Sequence, residues 1–190
     1  GKRPEKYLEE LGGQLDSRIN IFRTGPNVFS KEFTEDHLHE ITGKLSRKPL
    51  LWDNYPVNDS KNLAGKLHLA PFINRSPALK TLTQGHMANP MNQARLSQIA
   101  LYSLGKLYQE DGINPETILE EAFSALCPPK IGNLLLEDSV QFQDKGLDNF
   151  SEAEIQALVT RYSPFQEHPM VEELLDWLNG KYAFDPQCLT

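Results

Sequence analysis

The sequence predicts an α/β fold over about its first 75 residues, followed by an all-helical region. In the first part, short apolar segments typical of strands alternate with amphipathic segments typical of helices, at the spacing of βα units. From Pro90 onward, apolar residues recur at three- and four-residue intervals, a pattern that favours helices alone. Hydrophobic residues make up 39% of the 190 residues and charged residues 24%, so a packed core is expected. We place the boundary between the two parts within residues 76–90.

The α/β part contains three predicted strands, each followed by turn-forming residues. A first helix covers residues 4–11 and is predicted to end at the glycine pair that follows it. Thr34 is a candidate N-cap for a second helix, in which Leu38, Ile41 and Leu45 recur on one face. The predicted strands are residues 18–22, 49–52 and 66–70. Three parallel strands leave two sheet edges open, so we expect further strands or another element to cover them.

The helical part is predicted to contain four helices and one less regular segment. A long helix over residues 91–108 is apolar around much of its circumference, so we expect it to be central. Asn114, followed by a proline, is a candidate N-cap for a helix that ends at Pro128. A looser segment follows, and Ser151 and Glu154 then form a capping box. The last helix presents Val171, Leu174, Leu175 and Leu178 on its apolar side.

Composition excludes several classes of partner and cofactor. The formal net charge is −7 and no large Lys/Arg cluster occurs, so nucleic acid and anionic membranes are not expected as partners. No apolar run reaches the ~20 residues of a membrane span and no signal peptide is evident, so we expect a soluble protein, either cytoplasmic or exported. The two cysteines, Cys127 and Cys188, are predicted to be unpaired thiols. The histidines lack the spacing of metal ligands, so we predict no metal and no cofactor.

The densest group of polar residues follows the second predicted strand. Trp52 is the last residue of that buried strand, and Asn54 and Asp59 lie just past its end. Enzymes with parallel sheets build their sites at that edge. An aromatic wall, an amide and a carboxylate are the groups that a sugar site needs. The alternative is a turn rich in Asn, Asp and Pro with one partly buried tryptophan.

A second candidate is Asn89, which precedes Pro90 at the start of the long helix. The pattern has two interpretations, because an asparagine before a proline at the first helical position is also typical of an N-cap. The acidic pairs along the helices lie beside apolar stripes, as solvated faces do. None of them predicts a general acid and base, so we assign no catalytic residue in this chain.

Four segments of the chain carry motifs that identify a family. They are residues 24–28 (TGPNV), 51–59 (LWDNYPVND), 67–72 (LHLAPF) and 88–91 (ANPM). In this order and spacing they resemble the later part of the catalytic barrel of family 84 glycoside hydrolases, which are the O-GlcNAcases and related bacterial β-N-acetylglucosaminidases. The resemblance covers about residues 4–110. Its most specific part is the spacing of Trp52, Asn54 and Asp59 with a downstream Asn-Pro.

The resemblance implies a fold and a reaction. Members have a (β/α)₈ barrel followed by a helical region, so residues 1–88 would supply the carboxy-terminal portion of the barrel and residues 89–190 the helical region. It also implies retaining hydrolysis in which the 2-acetamido group of the sugar attacks the anomeric carbon. Two adjacent Asp residues on an earlier strand orient that group and act as acid and base. This chain contains no Asp-Asp pair.

The resemblance also implies a role for each candidate residue. Trp52 would form a wall of the acetamide pocket, and Asn54 would hydrogen-bond the sugar. Asp59 would accept hydrogen bonds from hydroxyls at the far end of the ring, and Asn89 would contribute from the following loop.

Two hypotheses about function remain open at the level of sequence. The chain starts at Gly1 without a methionine, as a trimmed fragment would, so we expect an amino-terminal half of the barrel as a separate chain or a missing segment. The first hypothesis is therefore that the chain is part of an enzyme that acts on a glycoconjugate containing N-acetylglucosamine. On this hypothesis the chain is inactive alone. The alternative is a non-catalytic carbohydrate-binding or interaction module derived from such an enzyme.

Overall fold

The structure of the protein is a computed structural model that describes residues 4–110 and 112–189, with side chains through residue 187. The amino terminus before Pro4 therefore lies outside the described residues. The strands are β1 (Phe22–Arg23), β2 (Leu50–Asp53) and β3 (Gly85–Ala88). The helices are α1 (Tyr7–Gln14), α2 (Glu35–Leu45), α3 (Leu79–Leu82), α4 (Ala94–Gln109), α5 (Ile118–Leu126), α6 (Pro129–Val140), α7 (Glu152–Tyr162) and α8 (Pro169–Leu178). Shorter helical turns are Gln141–Lys145, Leu147–Asn149, Ser163–Phe165 and Pro186–Leu189.

The chain forms two compact units whose segments alternate along the sequence. The first unit comprises the described residues of Gly1–Asn54, Ile73–Asn89 and Lys106–Gly112. The second comprises those of Tyr55–Phe72, Pro90–Gly105 and Ile113–Thr190. The first unit contains the sheet, and the second contains most of the helical region.

The first unit is built on a parallel three-stranded sheet in the order β1-β2-β3. Phe22 of β1 pairs with Leu50 of β2, and Trp52 of β2 pairs with Met87 of β3. Helix α2 connects β1 to β2, and the short helix α3 precedes β3. The capping role predicted for Thr34 is confirmed, since its side chain accepts a hydrogen bond from the backbone N–H of His37. Parallel strands joined through helices agree with the predicted βα pattern.

The third strand is not where the sequence pattern placed it. Residues 66–70 form no strand, although Leu67 and Leu69 alternate with less buried neighbours. These two leucines are buried in the core of the second unit, and the backbone N–H of Leu67 donates to the carbonyl of Phe142. The third strand is β3, which is short and lacks β-branched residues, so its local sequence is weakly strand-like.

The first helix also differs from its predicted extent. It runs through Gly12 and Gly13 and ends at Gln14, so the glycine pair does not stop it. A Cβ atom on Gly12 would lie 2.3 Å from the carbonyl oxygen of Leu45. The glycine therefore permits close packing of α1 against α2. Arg47 donates hydrogen bonds to the carbonyls of Gly12 and Leu15 at the end of α1.

The sheet has one covered face and one open face. Leu51 points to the covered face and packs in a cluster with Phe33, Leu38 and Leu79. Side chains alternate along a strand, so the neighbours of Leu51 point to the other face. On that open face, Phe22 is 48% exposed, Trp52 38% and Met87 48%. Phe22 and Trp52 contact each other edge to face with ring centroids 5.8 Å apart.

The second unit encloses the largest apolar core among the described residues. Its fully buried aromatic members are Phe123, Phe142, Tyr162 and Trp177. The capping box of Ser151 and Glu154 at the start of α7 is confirmed. Within the described segments, no helix has both the length and the apolar character needed to cross a membrane.

Asn114 contacts the turn that leads into α5, but the helix begins later than predicted, at Ile118. The Asn114 side chain accepts a hydrogen bond from the backbone N–H of Glu116, and its carbonyl accepts one from the backbone N–H of Ile118, each at 3.0 Å, as those of an N-cap do. Another prediction for the second unit is wrong. The segment predicted to be loose is the regular helix α6, which begins at Pro129. Proline at the first position of a helix is favourable because its missing N–H would be unsatisfied there in any case.

Cys127 is a free and buried thiol, as predicted. Burial raises its pKa to about 11, so the thiol remains protonated at neutral pH. The side chain of Cys188 lies outside the described part of the chain.

We expect the isolated 190-residue chain to self-associate at micromolar concentration. The open sheet face exposes Phe22, Trp52 and Met87 together, and a contiguous apolar face beside open sheet edges favours association. Sedimentation velocity should therefore detect dimers or larger species. The double substitution Phe22→Asp and Met87→Lys should shift the protein toward monomer.

The matched control for this prediction is Val140→Lys in the second unit. Val140 is 67% exposed on α6, so the substitution adds a charge at an exposed apolar position away from the sheet face. It should leave association unchanged. A wild-type chain that sediments as a monomer at these concentrations would contradict the prediction.

Candidate functional site

Polar side chains converge at the carboxyl-terminal edge of the sheet. Trp52 lies near the end of β2, Asn54 directly follows β2, and Asn89 directly follows β3. The backbone N–H of Asn89 donates to the carbonyl of Asp53 at 2.8 Å, which continues the pairing of the two strands beyond their ends. Because parallel strands end at the same edge, residues that are far apart in sequence meet there.

Asn54 is the centre of a hydrogen-bonded group. Its Oδ1 atom accepts from the indole Nε1–H of Trp52 at 2.9 Å and from Nδ2 of Asn89 at 3.2 Å. Its Nδ2 atom donates to the carbonyl of Val28 at 2.8 Å. The structure therefore brings together three of the four predicted site residues. The arrangement orients the Trp52 ring and connects it to both neighbouring loops.

These contacts leave hydrogen-bonding groups for a ligand. Both acceptor positions of the Asn54 carbonyl are occupied, but one of its two amide N–H groups has no partner among the described residues. Asn89 uses one amide N–H on Asn54 and keeps the other, together with its side-chain oxygen. Asn54 can therefore donate to a ligand, whereas Asn89 can donate and accept.

The loop that supplies the Val28 carbonyl has a defined turn. The hydroxyl of Ser30 donates to the carbonyl of Thr24 at 2.7 Å and accepts from the backbone N–H of Asn27 at 3.1 Å. Gly25 has a φ of 85°, and a Cβ atom there would lie 2.5 Å from the Ser30 hydroxyl. Only glycine fits this position, which explains the glycine of the Thr-Gly-Pro motif.

A buried ion pair lies on the covered face of the sheet, directly beneath these loops. Asp53 is the last residue of β2, and its carboxylate accepts from Arg75 at 2.6 and 2.8 Å. Nε2 of His86 lies 3.1 Å from the same carboxylate, and Nδ1 of His86 lies 3.0 Å from the hydroxyl of Tyr108. An imidazole that donates from Nε2 to Asp53 and accepts at Nδ1 from the Tyr108 hydroxyl satisfies both contacts. Within the described chain, no group of acidic, histidine or cysteine side chains could hold a metal ion.

The electrostatics of the cluster favour an ionised Asp53. Burial favours the neutral acid, yet the hydrogen bonds from His86 and Arg75 outweigh it, so the pKa of Asp53 lies below its ordinary value. Burial also raises the pKa of Tyr108 to about 12, which keeps its hydroxyl neutral. Because folding lowers its pKa, Asp53 stabilises the folded state at pH values above the ordinary pKa of an aspartate. This contribution is lost as the pH falls through the lowered pKa.

Asp59, the fourth predicted site residue, lies in the second unit on an exposed position. Its carboxylate has no hydrogen-bond partner among the described residues. Its neighbour Asn58 is 1% exposed and donates to the carbonyl of Lys66 and to the side chain of Gln93. Asn58 also accepts from the backbone N–H of Asn92. Asn58 is therefore the residue that holds the loop, and Asp59 is left available to solvent or a ligand.

The N-cap alternative for Asn89 is wrong, because α4 begins only at Ala94. The carboxylate of Glu173 instead accepts from the backbone N–H groups of Arg95 and Leu96 at the start of that helix. Asn89 is thus free of a capping role.

The ion pair beneath the site was not predicted from the sequence. Alternation along β2 places Asp53 on the same side as the buried Leu51, and a buried carboxylate requires a partner, so this signal was present. Nothing in the local sequence around Arg75 or His86 identified them as that partner.

Comparisons with known proteins identify the family of the chain. The profile of the β-N-acetylglucosaminidase family matches residues 1–137. The proteins named Protein O-GlcNAcase from Rattus norvegicus and Mus musculus are each 28% identical over 118 residues, which is 61% of this chain and 13% of theirs. A solved structure of a mutant O-GlcNAc hydrolase from Thermobaculum terrenum superposes with a TM-score of 0.67 at 31% identity. That match covers 94% of this chain and 45% of the other.

The chain thus spans less than half the length of these relatives. The family profile nevertheless covers well over half of the chain, and it includes Trp52, Asn54, Asp59 and Asn89. The sequence resemblance to the O-GlcNAcases is confirmed. The chain belongs to the β-N-acetylglucosaminidase family of glycoside hydrolases, which includes the O-GlcNAcases.

Proposed function

We propose that this chain is the carboxy-terminal part of an enzyme that removes β-linked N-acetylglucosamine from a glycoconjugate, and that it supplies sugar-binding residues to the active site. The observation that carries the proposal is the hydrogen-bonded group formed by Trp52, Asn54 and Asn89 at the carboxyl-terminal edge of the sheet. Parallel-sheet enzymes bind their substrates at this edge.

Each residue is given the role that the family resemblance implies, and the contacts of Trp52, Asn54 and Asn89 support theirs. Trp52 forms a wall of the pocket for the 2-acetamido group, with its ring held by Asn54 and by its edge-to-face contact with Phe22. Asn54 donates its remaining amide N–H to the sugar, and Asn89 donates or accepts from the adjacent loop. Asp59 accepts hydrogen bonds from ring hydroxyls, where a charged acceptor gives a stronger bond than a neutral one.

The reaction proposed is substrate-assisted hydrolysis with retention. The acetamide oxygen of the substrate attacks the anomeric carbon, and the apolar wall formed by Trp52 keeps water away from this intramolecular step. A pair of adjacent Asp residues orients the acetamide and acts as acid and base. This chain has no such pair, so we assign it to the amino-terminal half of the barrel.

The open face of the sheet supports that division of the enzyme. In a (β/α)₈ barrel, one face of every strand points to the barrel interior and the other is covered by helices. The face with Leu51 is covered by helices, so the face with Phe22 and Met87 is the interior one. On this proposal residues 1–88 complete the barrel of the amino-terminal half, and residues 89–190 form the helical region.

Substitutions of the two asparagines test the proposal. In the complete enzyme, Asn54→Ala and Asn89→Ala should each lower kcat/KM for an aryl β-N-acetylglucosaminide about 10-fold, because each removes a contact of about 1.4 kcal/mol. The fold-loss in kcat/KM of the double variant should be smaller than the product of the two single fold-losses, since the residues share a hydrogen bond.

The control is Asn20→Ala, which removes an exposed asparagine from the same unit. It should leave kcat/KM unchanged. If both site variants retain full activity, the sugar-contact roles of Asn54 and Asn89 are refuted.

A further inference from the structure

Arg75 forms a buried two-pronged ion pair with the end of β2. Its Nε and Nη2 atoms donate to the two carboxylate oxygens of Asp53, and the two side chains are only 5% and 1% exposed. Paired bonds of this kind fix the orientation of both groups, which a single charge contact does not. Asp53 is adjacent to Asn54 in sequence, and its carbonyl holds the backbone of Asn89.

The same guanidinium also binds the loop on the other side of the site. Nη1 donates to the carbonyl of Lys31 at 2.6 Å, and Nη2 donates to the carbonyl of Ser30 at 3.2 Å. The guanidinium carbon lies 4.7 Å from the ring centroid of Phe33, and the backbones of Phe33 and Arg75 form an isolated parallel bridge. Residues 30–33 continue the loop whose Val28 carbonyl receives the hydrogen bond from Asn54.

We propose that Arg75, paired with Asp53, is a positioning residue of the sugar site, because one buried guanidinium joins the strand end that carries Asn54 to the loop that Asn54 contacts. The inference rests on the proposed function of that site. Its consequence is that Arg75 sets the geometry of the Trp52 indole and the two amides without touching the substrate.

A purely stabilising role fits the contacts less well. A buried ion pair contributes little net stability relative to apolar residues of similar volume, since both charges lose their hydration. Arg47 in the same unit shows what a structural arginine does, for it donates four hydrogen bonds to backbone carbonyls at the end of α1 and in the loop that follows it. Apart from one bond to the carbonyl of the adjacent Asn74, the bonds of Arg75 described above go to the two segments that hold Asn54.

The two tryptophans of the chain provide a direct readout. In the full chain labelled with ¹⁵N-tryptophan, with Phe22→Asp and Met87→Lys in every sample to suppress self-association, the indole N–H of Trp52 reports its hydrogen bond to Asn54. The indole N–H of Trp177 reports its bond to Ala64 in the second unit. Arg75→Lys keeps the charge but cannot form the paired hydrogen bonds to both carboxylate oxygens of Asp53. It should shift or broaden the Trp52 signal and leave that of Trp177 in place.

Arg47→Lys is the matched control. It should lower the melting temperature by a similar amount to Arg75→Lys, yet leave both indole signals unchanged. In the complete enzyme, Arg75→Lys should reduce kcat/KM on the order of 10- to 100-fold, as displacement of positioning groups does. Arg47→Lys should leave kcat/KM near the wild-type value.

An unchanged Trp52 signal in folded Arg75→Lys would overturn the proposal. If Arg75→Lys does not fold, the Trp52 signal of Asp53→Asn is judged by the same criterion. Failure of both variants to fold would also overturn the proposal, because it would show that the pair serves the fold itself. A wild-type enzyme without hydrolysis would refute the proposed function, while the indole signals still decide whether Arg75 positions Trp52.

Discussion

The 190-residue chain by itself is expected not to hydrolyse an aryl β-N-acetylglucosaminide, and addition of the amino-terminal half of the barrel is expected to restore turnover. A general acid and a general base each contribute roughly 10²- to 10⁴-fold to such reactions. The chain has no adjacent Asp pair to supply them. Without the other half, the acetamide also has no partner that orients it for attack. Release of the aryl group, measured by absorbance, should therefore stay at the background rate until the two halves are mixed.

The control for this experiment is the mixture prepared with Asn54→Ala in this chain. Activity that belongs to the reconstituted site should fall, whereas activity of a contaminating enzyme would not. Strong hydrolysis by the purified chain alone would contradict the placement of the acid and base in another segment. A mixture that assembles but remains inactive would favour the alternative of a non-catalytic carbohydrate-binding module.

The helices were more predictable from sequence than the strands. Thr34 and the capping box at Ser151 are local signals, because the capping side chain and the N–H that it binds are only three residues apart. The third strand depends on a distant partner, since β3 exists by pairing with β2. Leu67 and Leu69 alternate as a strand would, but they are buried by helices of the second unit.

The candidate site shows the same division between local and distant signals. Trp52, Asn54 and Asn89 were identified through motifs, and the structure adds the hydrogen bonds that join them. Arg75 could not be identified, because its role arises from contacts with residues 22 and 44 positions away along the chain. A motif that describes neighbours in sequence does not contain such contacts.

Asp59→Ala in the complete enzyme is expected to lower kcat/KM roughly 10- to 150-fold with little change in stability. A charge-assisted hydrogen bond to a sugar hydroxyl in a desolvated pocket contributes about 1.5–3 kcal/mol, and about 1.4 kcal/mol corresponds to a factor of ten. Asp59 is exposed and supports no hydrogen bond among the described residues, so its removal should cost the fold little. The measurement is kcat/KM beside a thermal melt.

Asn58→Ala is the informative contrast, because the adjacent residue has the opposite surroundings. Its amide is 1% exposed and bonds Lys66, Gln93 and Asn92, so truncation leaves buried donors and acceptors without partners. We expect a loss of about 2–4 kcal/mol in the free energy of unfolding. If Asp59 were instead the turn-forming residue, Asp59→Ala would lower the melting temperature and leave kcat/KM per folded molecule intact. An unchanged kcat/KM for Asp59→Ala would therefore exclude its contact with the sugar, whatever the behaviour of Asn58→Ala.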